Sequence, residues 1–246
     1  MRFLVIGDAC HDVYKYGTIK RLNPEASAPL LSMHGTEIRA GMALNVAANL
    51  QAFGVEVQTE VPKNGASFKT RYIDEKSGQQ LLRVDDDNVP DKVWKDVRSY
   101  NPDDFDAVVV SDYNKGFLTD NDIAQLSRFK HCYIDTKKRN LGGLGPAWFK
   151  INAAEEAALL SQPDNLVVTL GADGARHNGK IVSPFMSPID VVDVCGAGDT
   201  FLAAFAFAMT SGCNVSRSMA YANSCAAITC TKIGTYALHP QEVPTL

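Results

Sequence analysis

The stretch Asp193-Val194-Cys195-Gly196-Ala197-Gly198-Asp199-Thr200-Phe201 holds the residues with the clearest chemical potential. Two glycines flank an alanine, an acid follows, and Leu202 to Met209 reads as an apolar helix that Gly212 would stop. A small-residue turn entering a helix leaves backbone N–H groups unpaired at the positive end of the helix dipole. Such an end binds anions, phosphate above all. Asp199 fits that picture for one chemistry only, because a carboxylate repels phosphate. A base beside a phosphoryl group would take the proton of the attacking hydroxyl. The plainer reading is an acidic helix N-cap after a glycine turn. The local pattern accommodates both.

Residues scattered elsewhere gain meaning if the elements bring them together. The chain has 246 residues, which fits one large domain or a domain with a small appendage, and is 46% hydrophobic and 21% charged, ordinary for a soluble globule. A net charge of -4, from 24 basic and 28 acidic residues, gives no global pull toward nucleic acid or an anionic membrane. The six cysteines (Cys10, Cys132, Cys195, Cys213, Cys225 and Cys230) form neither a CxxC pair nor a zinc spacing. Phe3 to Ile6 is too short an apolar run for a signal peptide, and no window approaches a membrane span. The expectation is a cytoplasmic protein with reduced thiols.

The chain reads as α/β. Arg2 to Ile6 is a buried-strand pattern ending in Gly7-Asp8, residues 12–39 suggest short strands and loops, and Ala43 to Phe53 has helical spacing closed by Gly54. Residues 55–67 show little periodicity. Strands are expected at Thr70–Ile73 and Gln80–Val84, with a turn at Lys76-Ser77-Gly78 between them. After Asp87 come alternating βα units. Helices are expected over Val89–Tyr100, Asp120–Phe129 and Glu155–Ser161, and strands at Ala107–Val110, Cys132–Ile134, Phe149–Ile151 and Leu166–Leu170. Asn178-Gly179 marks a hairpin, and two long helices, from Gly198 and from Ser216 to about Lys232, end the sequence. The sum is a largely parallel sheet with a β-rich flap built from two early segments. Ligands in such sheets sit at the carboxyl ends of the strands, so the loops at Asp8, Ser111, Asp135, Asn152, Gly171 and Gly196 should share one rim.

Several rival chemistries fail on spacing. Gly174 to Ile181 nearly matches a P-loop, but Ile181 stands where Ser or Thr would hold magnesium. No GxGxxG follows the first strand, and there is no GxSxG or HExxH; the five histidines lack ligand spacing.

The Asp193–Phe201 stretch resembles the anion-hole motif of the ribokinase-like (PfkB-type) carbohydrate kinases. Other family features follow in order. Thr169-Leu170-Gly171-Ala172-Asp173-Gly174 looks like the TxGxxG nucleotide loop, and Asn152-Ala153-Ala154-Glu155 like the NxxE motif. Gly41 to Gly54, with Asn45, is similar to the N-terminal sugar-binding signature, and Asn223 matches the region beside the adenine. Within the family, Gly7–Tyr14, Arg21–Ala26, Gln79–Asp85 and Ser111–Gly116 most resemble the kinase half of the bifunctional heptose-phosphate kinase/adenylyltransferases.

The resemblance implies a three-layer ribokinase-like sandwich over 1–246, a single domain with a small β lid from segments of about 12–40 and 68–88. It implies ATP-dependent phosphorylation of a sugar or sugar phosphate, heptose 7-phosphate-like, with Mg²⁺ and, as in some relatives, a monovalent cation. Asp199 would be the general base, and the amides of Gly196, Ala197 and Gly198 would stabilise charge on the transferred group. Asn152 and Glu155 would order Mg²⁺ through water. Thr169, Gly171, Gly174 and Asn223 would take the nucleotide; Asp12, Gly41 and Asn45 would take the sugar hydroxyls. Lys115 and Lys137 are the candidates for a second phosphate on the sugar, against a reading as plain surface charge. The partner expected is a small-molecule sugar, with neither nucleic acid nor membrane, and a homodimer could form through the lid.

Three departures stand out. Met42 replaces the second glycine of the usual Gly-Gly pair, and Val194-Cys195 replace Thr-Thr. Residues 55–68 are too short by about one βαβ unit, on the order of 30 residues. Retention of Asp199, Gly196, Gly198, Asn152 and Glu155 favours an active kinase. Met42 and the deletion favour a catalytically impaired nucleotide- or sugar-binding relative that acts through partner contacts.

Overall fold

Apolar runs with no polar side can be buried on both faces, and here they become the middle of a sheet covered on both sides. The computed structural model describes residues 1–63, 67–87, 96–184 and 190–246. In chain order it has β1 (Arg2–Gly7), β2 (Ala9–Leu22), β3 (Pro29–Met42), α1 (Ala43–Ala52), β4 (Glu56–Glu60), β5 (Ser67–Asp74), β6 (Gln80–Asp86) and β7 (Ala107–Asp112). There follow α2 (Asp120–Leu126), β8 (Cys132–Thr136), β9 (Trp148–Asn152), α3 (Ala153–Ala157), β10 (Leu166–Thr169), β11 (Ala175–His177), β12 (Lys180–Val182), α4 (Ala197–Thr210) and α5 (Val215–Thr229). The main sheet runs β12-β11-β10-β9-β8-β7-β1-β4; it is parallel from β10 to β4, and β11 and β12 form an antiparallel hairpin at the other edge.

Strand alternation divides the core in two. Phe3, Val5, Val109, Tyr133 and Val167 face α1, α4 and α5, while Leu4, Ile6, Val108, Val110, Ile134 and Ile151 face α2 and the loops around it. Helix α4 is apolar on nearly every side, which suits a helix enclosed by the sheet, α1 and α5.

A second sheet, β3-β2-β5-β6, forms the lid. Residues 12–39 are two long paired strands, not short strands and loops. Register shifts after Tyr16 and Ile19 break the two-residue alternation that would have announced them. The registers also sort the lid's faces. Asp12, Arg39, Lys69 and Asp85 share one, while Phe68, Ile38, Val84 and Leu82 share the other and are exposed.

Some elements differ from expectation. Glu56–Glu60 is a strand beside β1; with four polar residues and only Val57 apolar, it carries no clear pattern. Residues 61–66 alone connect it to β5, so β4 is the sheet edge, in keeping with the shortened chain. Helix α3 starts at Ala153 and stops at Ala157, under a reciprocal cap of Asn152 and Glu155. Of the helix expected over Val89–Tyr100, residues 88–95 lie outside the described residues, and Val97–Ser99 is a single 3-10 turn. The Asn178-Gly179 hairpin forms as expected, with both residues at positive φ.

The ring of Phe205 on α4 is buried against Tyr133, Trp148 and Phe201. Phe205→Ala should lower unfolding free energy by about 3–5 kcal/mol, read from the urea midpoint at unchanged slope. A loss below about 1 kcal/mol would mean that the sheet and α4 do not meet there.

Candidate active site

The rim forms because the strand registers bring the loops level. Gly7 lies opposite Ser111, Ser111 opposite Asp135, Asp135 opposite Lys150, and Asn152 opposite Thr169. The turn into α4 closes one side. Gly196 caps the helix in the left-handed region at φ 77°, and a side chain there would press on Asn45 Nδ2 at 2.8 Å. A Cβ on Gly198 would sit 2.9 Å from Lys150 Nζ. Glycine at both places lets an amide and an ammonium approach the turn closely.

Asp199 lies in the first turn of α4 and is 3% exposed. Asn45 Nδ2 donates to its Oδ2 at 3.1 Å, and the Tyr113 hydroxyl donates to its Oδ1 at 3.0 Å. Burial, with the nearby Asp135 charge, raises its carboxyl to about 6 against the opposing pull of Asn45, Lys150 and Tyr113. The buried Lys150 ammonium pairs with Asp135 Oδ2 at 2.6 Å. A base poised near neutral pH thus stands beside a cation and an amide-rich turn.

A cavity of about 490 Å³ opens next to this turn. It is lined by Thr169, Gly171, Gly174, Ala197, Gly198 and Asn223, and by apolar side chains such as Val191, Val194 and Phe201. The expected nucleotide residues are therefore brought together, except Asn152 and Glu155. Those two cap α3: Asn152 Oδ1 accepts from the Glu155 N–H, and Glu155 Oε2 from the Asn152 N–H, each at 2.9 Å. The other Glu155 oxygen pairs with Lys137. Asn223 Nδ2 donates to the Val182 carbonyl at 2.7 Å, which ties α5 to the hairpin edge.

The expected sugar residues line up under the lid with their polar groups already engaged. Asp12 is buried in an ion pair with Arg71 and accepts from Thr235 Oγ1 at 2.7 Å. Asn45 donates to Asp199 and accepts from Asn49. A Cβ on Gly41 would meet Cys10 Sγ at 2.4 Å and Asp12 Oδ2 at 2.6 Å, so β3 lies close on β2 there. Met42 is 2% exposed and sits at φ 58°, a conformation costing a non-glycine residue on the order of 1–3 kcal/mol. Lys115 pairs with Asp87 at 2.6 Å, and Lys137 pairs with Glu155 and lies 5.1 Å from the Tyr113 ring centre. Cys195 Sγ accepts from Arg71 at 3.5 Å, and burial pushes its thiol pKa up.

Sequence reasoning missed three participants. Lys150 interrupts the apolar run Trp148-Phe149-Lys150-Ile151, and a lysine in a strand otherwise buried on both faces was the available signal. Tyr113 and Lys69 carried no such signal, since an aromatic in a loop and a lysine in a strand are commonplace. Among the described residues, no carboxylate lies within ion-pair distance of Lys69, whose Nζ is 5.5 Å from the Tyr113 ring centre.

Residues 130–242 match the pfkB family of carbohydrate kinases. The bifunctional protein HldE of Geobacter sulfurreducens is 30% identical over 303 aligned positions, covering 98% of this chain and 61% of the relative. The HldE of Helicobacter hepaticus is 26% identical over 98% of this chain and 63% of its own length. The chain thus spans about three fifths of these relatives. The first alignment is longer than the 246 residues of this chain, so the relative has internal segments this chain lacks. Escherichia coli phosphofructokinase-2, solved with substrates and products, superposes with a TM-score of 0.74 at 16% identity, over 99% of this chain and 96% of that one. Thermotoga maritima ribokinase does so with 0.67 at 15% identity, over 98% and 95%. The fold is that of the ribokinase-like kinases, and residues 130–242 carry the similarity to pfkB family carbohydrate kinases.

Proposed function

We propose that this domain transfers the γ-phosphoryl group of ATP to a hydroxyl of a sugar or sugar phosphate. The observation that carries the reading is Asp199, a buried carboxylate raised to about 6 in the first turn of a long helix, directly after Gly198, which lines the cavity. In this reading Asp199 takes the hydroxyl proton as the sugar oxygen attacks phosphorus. The amides of Gly196, Ala197 and Gly198, with Lys150, face the charge on the transferred group. Gly171 lies where an added Cβ would meet nothing within 4 Å, which leaves room for a nucleotide against the loop backbone.

Bound Mg²⁺ would neutralise charge among the phosphates. Among the described residues no group of three or more His, Cys, Asp or Glu could hold a metal, so its ligands would be phosphate oxygens and water, with Asn152 and Glu155 ordering that water. Glu155 would then share itself between Lys137 and the ion's shell. A monovalent cation belongs in the assay because E. coli phosphofructokinase-2 was solved in complex with potassium.

The HldE likeness supports a heptose 7-phosphate-like substrate. For its remote phosphate, Lys69 joins Lys115 and Lys137 as a candidate, and among the described residues it is the one of the three without a carboxylate partner. The apolar outer face of the lid, with Ile38, Phe68, Leu82 and Val84 exposed, suits a homodimer through the lid. Among the described residues no helix is long and apolar enough to cross a membrane, and a cytoplasmic location is part of this proposal.

A second reading, a relative that binds nucleotide or sugar without turnover and acts through partner contacts, draws on Met42 and on the engaged state of Asp12 and Asn45. ATP turnover with Mg²⁺ against a panel of sugars, heptose 7-phosphates included, separates the two. Sugar-dependent ADP release should fall by at least about 10²–10⁴-fold in Asp199→Asn. ATP binding with no turnover on any sugar would favour the second reading.

The pH dependence has a definite sign. Because burial raises the Asp199 carboxyl to about 6, the base is protonated and idle below that pH, so kcat should fall as pH drops through 6. A flat profile from pH 5 to 8 would remove Asp199 from the base role. Lys150→Met should lower kcat by roughly 10²–10³-fold, as for other groups facing the developing charge. It should also lower the melting temperature, since buried Asp135 loses its hydrogen-bonded cation and keeps only Lys137 at 3.9 Å. A variant with wild-type kcat would exclude Lys150 from phosphoryl transfer.

A further inference from the structure

Tyr113 reaches across the rim onto the base, and nothing in the roles assigned above uses it. Its hydroxyl donates to Asp199 Oδ1, while Asn45 holds Oδ2, so both oxygens of a nearly inaccessible carboxylate already have donors. The backbone beneath it is fixed. Buried Asp8 Oδ2 accepts the N–H groups of Tyr113 at 2.7 Å and Lys115 at 3.3 Å, and Asp112 Oδ1 accepts that of Asn114 at 3.0 Å. Any displacement of the hydroxyl is therefore a side-chain rotation. The ring lies within 5.5 Å of Lys69 from lid strand β5 and 5.1 Å of Lys137 from the loop after β8, so lid and core both grip it.

We propose that Tyr113 is a cap on the base: its hydroxyl occupies Asp199 Oδ1 until a sugar hydroxyl displaces it, which withholds the base from water while ATP waits. The inference rests on the kinase reading. Without the cap, a water gives its proton to Asp199 as its oxygen attacks the γ-phosphorus of ATP, and ADP and inorganic phosphate leave. A kinase that binds its nucleotide beside an uncapped base would waste it in this way. The coupling to Lys69 links the cap to the lid, and an anionic group on the sugar would compete with the ring for that ammonium.

Tyr113→Phe keeps the ring and removes the donor. With ATP and Mg²⁺ but no sugar, at pH 8, the variant should release ADP about tenfold faster than the wild type, the size set by one hydrogen bond to a charged group. The acid limb of that hydrolysis should move to higher pH, because the lost hydrogen bond favoured the charged carboxylate. The other charged or titratable groups facing Asp199 are Asp135, Lys150, Lys137 and Cys10, all unchanged in the variant. In the wild type, the Tyr113 ring-carbon resonance next to the hydroxyl should follow the titration of Asp199 near pH 6. A variant with no excess sugar-free hydrolysis overturns the cap, and so does a wild-type resonance that is flat across that range. Failure of the kinase reading looks different: the wild type would then phosphorylate no sugar in the panel, whatever the resonance does.

Discussion

A buried negative charge governs this structure. Asp199 sits at the start of α4, out of reach of bulk water, where an unassisted carboxylate would be costly. The helix dipole, the Asn45 amide, the Tyr113 hydroxyl and the Lys150 ammonium each offset part of that cost. The balance is incomplete, and the carboxyl remains raised to about 6. That residue of unfavourable energy makes it a usable base at neutral pH, with neighbours drawn from α1, the loop after β7 and strand β9.

Charge pairing on the inner face of the lid follows the same logic. Arg71 with Asp12, Arg39 with Glu37 and Arg83 with Asp85 are closed pairs, so their charges are spent within the lid. The Arg71 pair is buried and linked to the far end of the chain through Thr235, which joins the lid to the loop after α5. Among the described residues, Lys69 has no carboxylate partner on that face, and it lies beside Tyr113. One uncommitted cation facing a site is a better recognition element than several committed ones, because it forfeits no ion pair when an anion arrives. The outer face, by contrast, is apolar and exposed, and only another surface could cover it.

A short chain and an undisturbed rim are compatible for a topological reason. The short connection from β4 to β5 lies at the sheet edge farthest from the glycine loop after β10. Parallel sheets gather their ligands at the strand ends near the middle, so an edge can be lost without disturbing the rim. Met42 is a local compromise at the junction of the lid and α1. Its left-handed backbone is one a glycine would adopt freely, and its burial in part offsets the strain.

Much of this was legible in the residues. The apolar runs of β1, β7 and β8, the glycine after α1 and the Asn-Gly hairpin follow from local rules, since burial on both faces and positive φ leave few alternatives. The shared rim and the cavity around Thr169, Gly171, Gly174 and Asn223 followed from strand ends and motif order. The long lid strands were hidden by register shifts, and β4 by its polar composition. The partners of each charge were also hidden. Nothing local says that Asn45 spends its amide on Asp199 instead of a sugar, that Lys137 closes on Glu155, or that Tyr113 lies on the base. The sequence by itself determined the buried strands, the two long helices and the rim their loops share, because propensity and periodicity act over a few residues. Which donor faces which acceptor was decided only by the tertiary structure, because hydrogen bonds and ion pairs are settled within about 3 Å between residues far apart in the chain.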